Sequence, residues 1–179
     1  VEAMTEKAKK IRLGPPLERE TKMGPLVSKE QFERVQSYQE IGKKEAKLAI
    51  GGGRAKGFGK GYYVEPTIFY DVENTARIAR EEIFGPVAAV IPFEDEGGAL
   101  RIANDSPYGL AAAVWTKDIK KAHRMTQQLK AGVVWVNCYQ FVDAAAPWGG
   151  YKQSGYGREK GPQALDQYTQ VKSVWVDLN

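Results

Sequence analysis

The sequence predicts an α/β fold in which a partly parallel, layered sheet is flanked by helices. Short apolar segments typical of strands alternate along the chain with amphipathic segments of about ten residues, typical of helices. Residues 87–93 and 133–137, for example, have a strand pattern, and the helical pattern of residues 96–104 lies between them. Helices that separate successive strands favour parallel pairing, because a parallel connection must cross from one end of the sheet to the other.

Start and stop signals define the elements of the first 50 residues. An amphipathic helix over residues 2–13 has no capping residue before it, which suggests that the chain begins inside a longer protein, and Gly14-Pro15-Pro16 ends this helix. Ser28 and Gln31 have the spacing of a capping box and predict a helix that runs to about Gly42. Residues 47–50 then form a short apolar strand.

A glycine-rich segment follows this strand, with glycines at positions 51, 52, 53, 57, 59 and 61. The phosphate-binding loops of dinucleotide folds are also rich in glycine, but a helix must open directly from such a loop. Here residues 62–69 have the pattern of another strand. The segment is therefore predicted to be a flexible connection between two strands rather than a phosphate cradle.

The remaining elements continue the alternation. Ser106-Pro107 interrupts the pattern after one helix, and Asp118 and Gly132 are the start and stop signals of another. The predicted helices occupy residues 75–80, 96–104 and 119–131, and the predicted strands occupy residues 87–93, 109–116 and 133–137.

The end of the chain has the pattern of one more strand. From Gln170 to Leu178 both faces carry apolar side chains, with Val174 and Val176 on one face and Trp175 on the other. A long apolar strand with unpaired edges tends to associate with another chain. We therefore divide the sequence into a main body, residues 1–169, and a strand for self-association, residues 170–179.

Composition argues against several classes of protein. Of the 179 residues, 42% are hydrophobic and 27% charged, as in ordinary globular proteins, and no apolar run is long enough to span a membrane. The single cysteine, Cys138, cannot form an internal disulfide and fits a reducing, cytoplasmic location. The net charge of +4 would suit a nucleic-acid binder, but the basic residues are spread over several helices rather than along one groove-facing element.

Two motifs carry the strongest functional signal. R-E-E-I-F-G-P spans Arg80 to Pro86, and A-P-W-G-G-Y-K-Q-S-G-Y-G-R-E spans Ala146 to Glu159. Together they resemble the second half of an aldehyde dehydrogenase, and V-E-P-T-I-F and A-G-V-V-W-V-N fall in the order and spacing of the same family. The resemblance covers nearly the whole chain and implies the C-terminal part of the catalytic domain, followed by the oligomerisation strand.

Glu82 and Phe84 are the candidate cofactor-binding residues. A carboxylate on a tight loop can accept hydrogen bonds from two vicinal hydroxyl groups, as a ribose presents them, and an aromatic ring beside it offers a flat apolar face. The resemblance implies that Glu82 holds the ribose on the nicotinamide side of NAD or NADP and that Phe84 packs near the ring. Glu81 is expected to be a solvated or capping carboxylate.

Four further residues are candidates for the wall of a substrate tunnel: Asn137, Phe141, Val142 and Trp148. The resemblance implies that the strand-ending asparagine and the loop after it line the aldehyde entrance. Phe141 and Trp148 would give an apolar wall suited to an uncharged aldehyde. Val142 would widen the entrance, because many relatives carry an aromatic ring there. The alternative for Trp148 is a purely structural place in the core.

No residue of this chain is assigned to catalysis. The nucleophilic cysteine of the family lies in a glycine–glutamine context that is absent here, whereas Cys138 ends a strand with no histidine nearby in sequence. We therefore expect Cys138 to be structural. His123 is expected to be a surface or half-buried residue of a helix. Because the sequence offers no second histidine or cysteine cluster, no metal site is predicted.

The resemblance implies part of a cytoplasmic oxidoreductase that oxidises an aldehyde to a carboxylic acid with NAD or NADP, through a cysteine thioester formed upstream of this chain. The chain itself is expected to supply ribose anchoring and tunnel walls and to be inactive alone. The alternative is a non-catalytic module that self-associates through residues 170–178. Neither a membrane nor a nucleic acid is expected as a partner.

Overall fold

The computed structural model describes all 179 residues, Val1–Asn179, and they form two compact units, Val1–Pro92 and Phe93–Asn179. Both units combine helices with short strands, which confirms the predicted α/β class. The sequence reading placed its only division at residue 169, and it did not anticipate this boundary at residue 92. Residues 169–179 contain no helix or strand in this single chain, so the self-association strand stays a prediction. No helix in either unit is both long enough and apolar enough to cross a bilayer.

The first unit contains three helices, α1 (Glu2–Lys9), α2 (Lys29–Glu45) and α3 (Arg77–Arg80), and three strands, β1 (Lys47–Ile50), β2 (Thr67–Tyr70) and β3 (Val87–Val90). The strands lie in the order β1-β2-β3. β1 pairs antiparallel with β2, and β2 pairs parallel with β3. The sheet is therefore partly parallel, as predicted.

The core of this unit lies between α2 and the sheet. Phe32, Val35 and Tyr38 follow one face of α2 at helical spacing and belong to the same buried cluster as Phe69 of β2 and Ile83. Val35 and Phe69 are fully buried. Burial of this face holds α2 beside the chain that leads into β3, where the first predicted site residues lie.

Helix α1 is shorter than predicted, because the residues after it bond to another loop. The helix ends at Lys9. Leu13 forms a bridge with Met23, and the carbonyl of Arg12 accepts the N–H groups of Lys22 and Met23 at 2.8 and 3.2 Å. These bonds replace the backbone bonds that a helix continuing to residue 13 would make.

The glycine-rich segment connects β1 to β2 and opens no helix. Arg54 bridges Val64 across the segment, so the connection continues the antiparallel pair as a hairpin. The expected strand connection is thus confirmed. β2 starts only at Thr67, later than predicted, because Pro66 has no N–H to donate to a neighbouring strand.

The second unit contains α4 (Glu96–Asn104), α5 (Ile119–Gln128), a 3-10 helix (Pro162–Gln167) and four strands, β4 (Tyr108–Gly109), β5 (Ala111–Val114), β6 (Val133–Val136) and β7 (Tyr151–Lys152). β5 pairs parallel with β6, and β4 pairs antiparallel with β7. The single strand predicted over residues 109–116 is therefore split, because its two parts pair with different partners.

Side-chain caps and one ion pair fix the two helices of this unit. Asp95 caps α4 with a bond of 2.6 Å, and Asp118 caps α5, as predicted, with bonds of 2.9 and 3.1 Å. Arg124 of α5 donates to Glu96 of α4 through two bonds of 3.1 Å. The buried cluster of this unit consists of Leu100, Val114 and Leu129.

Candidate functional site

Glu82 and Phe84 lie on the loop between α3 and β3, in the first unit. Both side chains are exposed, and the accessible fraction of Phe84 is 74%. The carboxylate of Glu82 makes no hydrogen bond or ion pair within the chain, whereas its backbone carbonyl is bonded. The loop therefore presents an unpaired carboxylate and an aromatic face.

Helix α2 holds the backbone of this loop. Gln31 Nε2 donates to the carbonyl of Ile83 at 3.0 Å and to that of Phe84 at 2.7 Å. Arg34 Nη2 donates to the carbonyl of Glu82 at 2.6 Å. Phe84 has a φ of +54°, a left-handed conformation that bulky residues rarely adopt. The bonds from Gln31 stabilise this backbone conformation, from which the exposed Phe84 ring projects.

The predicted capping box is only half formed. Ser28 Oγ accepts the N–H of Gln31 at 3.2 Å, as predicted. The side chain of Gln31 does not return to Ser28, because its amide group is bonded to the two loop carbonyls instead. Gln31, which the sequence marks as part of a helix start, therefore makes a long-range contact to the candidate site.

Glu81, the neighbour of the candidate anchor, is held by two side chains. Arg77 donates from Nε and from Nη2, each at 3.0 Å, and Tyr38 Oη donates at 2.5 Å. The bonds from Arg77 and then from Tyr38 lower the pKa of Glu81 to about 2, and the bond to Glu81 raises the pKa of Tyr38. The expectation of a solvated or capping carboxylate missed both partners, which come from α2 and α3.

Gly85 allows the loop to lie directly on α2. A Cβ at this position would lie 2.5 Å from Cγ2 of Val35, a side chain that is fully buried. Any larger residue would push the loop away from the helix. The G-P step of the motif therefore sets the distance between the helix and the loop.

This arrangement is suited to the ribose and nicotinamide portion of a dinucleotide. A carboxylate without protein partners can accept two hydroxyl hydrogen bonds, and a loop held at three carbonyls loses little freedom on binding. The exposed ring of Phe84 offers an apolar surface to a flat heteroaromatic ring.

Asn137 lies directly after β6, in the second unit, and its amide is bonded within the protein. Oδ1 accepts the N–H of Thr116 at 2.9 Å, and Nδ2 donates to the carbonyl of Thr116 at 2.8 Å. Asn137 also has a φ of +55°, which asparagine tolerates better than most residues. The amide therefore joins the ends of β5 and β6 and shapes the turn that follows.

Trp135 organises the loop after β6, a role that sequence reasoning missed. Its buried ring contacts Tyr139 edge-to-face at 5.0 Å and Trp148 at 6.0 Å between centroids. Its Nε1 donates to the carbonyl of Phe141 at 2.8 Å. The available signal was a tryptophan inside an apolar strand, because a buried indole N–H requires an acceptor.

The remaining tunnel candidates differ in how firmly they are held. Phe141 and Val142 are exposed, whereas Trp148 is half-buried. The backbone of Trp148 exchanges two hydrogen bonds of 2.7 Å with Glu159. Trp135 thus brings together Trp148, through its ring, and Phe141, through its carbonyl. Trp148 combines a structural contact with a partly accessible surface.

Polar residues of the second motif stabilise its own turn. Lys152 Nζ donates to the carbonyls of Asn104 at 2.8 Å and Ser106 at 2.9 Å, at the C-terminal end of α4. Ser154 Oγ accepts the N–H of Gly109 at 3.0 Å. Both side chains are therefore engaged in structure rather than presented to a ligand.

Arg158 and a close glycine contact complete this turn. Arg158 Nη1 donates to the carbonyls of Gly150 at 3.1 Å and Gly157 at 2.6 Å. A Cβ on Gly132 would collide with the carbonyl of Gly149. The absence of a side chain at Gly132 therefore leaves room for the backbone of the motif at Gly149.

Cys138 and His123 are both exposed, the first as a free thiol in the turn after β6 and the second on α5. The surface position of His123 agrees with the expectation from sequence. No group of three histidine, cysteine, aspartate or glutamate side chains is arranged to hold a metal ion.

Two sizeable clefts do not coincide with the predicted site residues. One of 540 Å³ lies in the second unit among α4, α5 and β5 and is lined by apolar side chains such as Phe93 and Trp115. Another of 540 Å³ lies in the first unit beside α1. Trp148 borders a smaller cleft of 220 Å³ together with Arg158. Because these clefts are open and mostly apolar or small, the chemistry of Glu82 is the better guide to the site.

The chain is similar to known proteins over nearly its whole length. Residues 1–174 match the model of the aldehyde dehydrogenase family. The putative aldehyde dehydrogenase DhaS of Bacillus subtilis (strain 168) is 54% identical over 178 residues, which are 99% of this chain and 36% of that protein. The betaine aldehyde dehydrogenase of Brucella anthropi is 52% identical over 181 residues, which are 99% of this chain and 37% of that protein.

A solved structure shares this fold. The NAD+ complex of the aldehyde dehydrogenase from Bacillus cereus matches with a TM-score of 0.94 at 55% identity, covering 99% of this chain and 36% of that chain. The chain thus spans little more than a third of the length of these proteins.

Proposed function

The chain belongs to the aldehyde dehydrogenase family, and we propose that it supplies the ribose anchor and part of the substrate tunnel of a longer NAD(P)-dependent aldehyde dehydrogenase. One observation carries this proposal. Glu82 is an exposed carboxylate without a protein partner, on a loop whose backbone α2 holds in place.

NAD or NADP, when bound, would supply the hydride acceptor for oxidation of an aldehyde to a carboxylic acid. Glu82 would accept hydrogen bonds from the two ribose hydroxyl groups, each contributing about 1.5–3 kcal/mol because the acceptor is charged. Phe84 would limit the tilt of the attached ring through its exposed face. The NAD+ complex of the Bacillus cereus relative supports this cofactor class.

Rigid placement of the anchor explains how it would assist the reaction. Hydride transfer requires a near-attack geometry, and a ring that is free to swing spends little time in it. The three bonds from Gln31 and Arg34 to the loop carbonyls limit this motion before the cofactor arrives. The chain would thereby contribute orientation, while the reacting thiolate would come from outside it.

We assign the tunnel wall to Phe141, Val142 and Trp148, with Asn137 setting the turn that carries them. The aromatic wall suits an uncharged aldehyde. It also suits a cationic one, because aromatic faces attract quaternary ammonium groups. Betaine aldehyde, the substrate class named for the Brucella anthropi relative, is therefore the first cationic substrate to test.

We also propose that residues 170–178 pair with another subunit. The large apolar residues Val171, Val174, Trp175 and Val176 are each at least 72% exposed. Apolar side chains concentrated in this way mark an interaction surface. Deletion of residues 173–179 should lower the assembly size or cause aggregation, as measured by sedimentation, and a soluble monomer formed by the intact protein would refute this assignment.

The substitution Glu82→Gln tests the ribose anchor, in a longer protein that carries this chain. It keeps the size of the side chain and removes its charge, so NADH should bind about tenfold more weakly, as expected for loss of about 1.4 kcal/mol. Single-turnover hydride transfer should also slow. Glu73→Gln, at another exposed position of the first unit, is the matched control. Unchanged NADH affinity and hydride-transfer rate in Glu82→Gln would exclude the anchor.

The alternative of a non-catalytic self-associating module is tested with the same longer protein. Aldehyde-dependent NAD or NADP reduction is expected, and it should persist in Cys138→Ser, because Cys138 is an exposed thiol with no assigned base. Self-association without any turnover would favour the module.

The single cysteine also fits a cytoplasmic location, which fractionation of cells can check.

A further inference from the structure

We propose that Glu81, held by Tyr38 and Arg77, is a positioning residue that sets the direction of the Glu82 carboxylate. This inference rests on the ribose-anchor function proposed above. It assigns different roles to two adjacent residues of identical chemistry: one glutamate is bonded to the protein so that the other is presented to the ligand.

The first observation concerns how fully Glu81 is bonded. It accepts three hydrogen bonds, two from Arg77 at 3.0 Å and one from Tyr38 at 2.5 Å. Glu82 accepts none through its carboxylate. Glu81 is therefore the member of the pair that the fold immobilises, and Glu82 is the member left to bind.

The second observation is the backbone between the two side chains. Glu81 has φ −105° and ψ 144°, an extended conformation. Tyr38 and Arg77 fix the carboxylate of Glu81 and with it the peptide that carries Glu82, whose own carboxylate bonds to neither of them.

The third observation is that the two arginines that bond Glu81 and Glu82 both pack on the ring of Tyr38. Tyr38 lies under two guanidinium groups, that of Arg34 at 5.2 Å and that of Arg77 at 5.8 Å from the ring centroid. Arg34 bonds the carbonyl of Glu82, and Arg77 bonds the carboxylate of Glu81. Tyr38 is buried in the core of the first unit, so this cluster is supported by a fixed element.

Tyr38→Phe is the most conservative test, because it removes only the hydroxyl group that bonds Glu81. It is made in a longer protein that carries the chain, alone and combined with Glu82→Gln. NADH affinity is measured by fluorescence titration, and the mobility of bound NADH by anisotropy decay. Tyr63→Phe is the matched control, since Tyr63 is equally buried in the first unit and its ring stacks on Phe58 rather than on this loop.

A positioning role predicts non-additive effects. Tyr38→Phe should weaken NADH binding about fivefold, as expected for partial loss of a charge-assisted contact, and increase the mobility of bound NADH. Added to Glu82→Gln it should change the affinity less than about twofold, because it acts through a carboxylate that is no longer present. Tyr63→Phe should leave affinity and mobility unchanged.

The remaining outcomes distinguish failure of the positioning role from failure of the ribose anchor itself. The same fold-loss from Tyr38→Phe in both backgrounds would overturn the positioning role, because it would show an effect independent of Glu82. A loss on Glu82→Gln with none on Tyr38→Phe would overturn the inference and leave the anchor. No loss on Glu82→Gln would overturn both. If Tyr38→Phe lowers the melting temperature, Arg77→Gln removes the other partner of Glu81 from the surface and is subject to the same criteria.

Discussion

The contact between Gln31 and the site loop gives a quantitative prediction. The substitution Gln31→Met removes the two hydrogen bonds to the carbonyls of Ile83 and Phe84, at 3.0 and 2.7 Å. Methionine has nearly the length and helix propensity of glutamine, so α2 itself should be little affected. The N–H of Gln31 still bonds Ser28, because that contact uses the backbone.

The number of bonds removed sets the expected loss of loop stability. A typical protein hydrogen bond contributes about 1 kcal/mol net, so two bonds are worth about 2 kcal/mol for the closed loop. Phe84 adds to this dependence, because its backbone is held at a φ of +54°. A loss of about 2 kcal/mol corresponds to a roughly 30-fold increase in the open population of the loop.

Hydrogen exchange detected by mass spectrometry measures this opening. Peptides that cover residues 80–90 should exchange faster in Gln31→Met, whereas peptides from β1 should not change. Gln36→Met is the control, because Gln36 lies on the same helix and makes no contact with the loop carbonyls. Unchanged protection of residues 80–90, or equal effects of the two substitutions, would refute the view that Gln31 holds the loop.

Three further predictions concern stability. The pKa of Glu81 is lowered from 4.5 to about 2, so its bonds favour the folded state above about pH 4.5, and this stabilisation is lost as the pH falls toward 2. Glu81→Gln should therefore make the melting temperature depend less on pH between 4.5 and 2. An unchanged fall of the melting temperature over this range would contradict the prediction. Gly42→Ala should destabilise the protein by about 1–3 kcal/mol in a urea titration, because its Cβ would lie 2.6 Å from ring carbons of Phe69; a gain in stability would show that the helix has room. Asn137→Ala should lower the free energy of unfolding by about 2–3 kcal/mol, since it loses both bonds to Thr116 and places alanine at a φ of +55°. A decrease below about 0.5 kcal/mol in thermal unfolding would argue against a structural role of these two bonds.

Local signals predicted some bounds well and others poorly, in helices and strands alike. The strand over residues 47–50 was predicted with its observed bounds, whereas α1 ends four residues earlier than predicted. The bounds of α4 were predicted correctly, and Asp118 caps α5 as expected, because capping and stop residues act within a few positions. The strand over residues 109–116 could not be divided from sequence. Its division depends on the pairing of Tyr108 and Gly109 with β7, more than forty positions later in the chain.

The candidate site shows the same limit. The assignment of Glu82 and Phe84 to cofactor binding stays a prediction, although both side chains are exposed on the loop. The motif did not predict that Gln31 and Arg34, which lie 48 to 53 positions earlier, hold the loop carbonyls. Side-chain amide and guanidinium groups bond to any suitable carbonyl that folding brings near, so no local pattern specifies these partners.

The burial of Trp135 makes the loop after β6 observable by fluorescence. Indole emission depends on the polarity around the ring, and Trp135 is 7% exposed with its N–H bonded to Phe141, whereas Trp115 and Trp175 are 64% and 96% exposed. A soluble quencher such as iodide will therefore reach Trp115 and Trp175 much more readily in the single chain. With these two replaced by phenylalanine, the remaining indole emission of the chain comes from Trp135 and its neighbour Trp148. A substrate that rearranges their loop would then shift the wavelength of this emission.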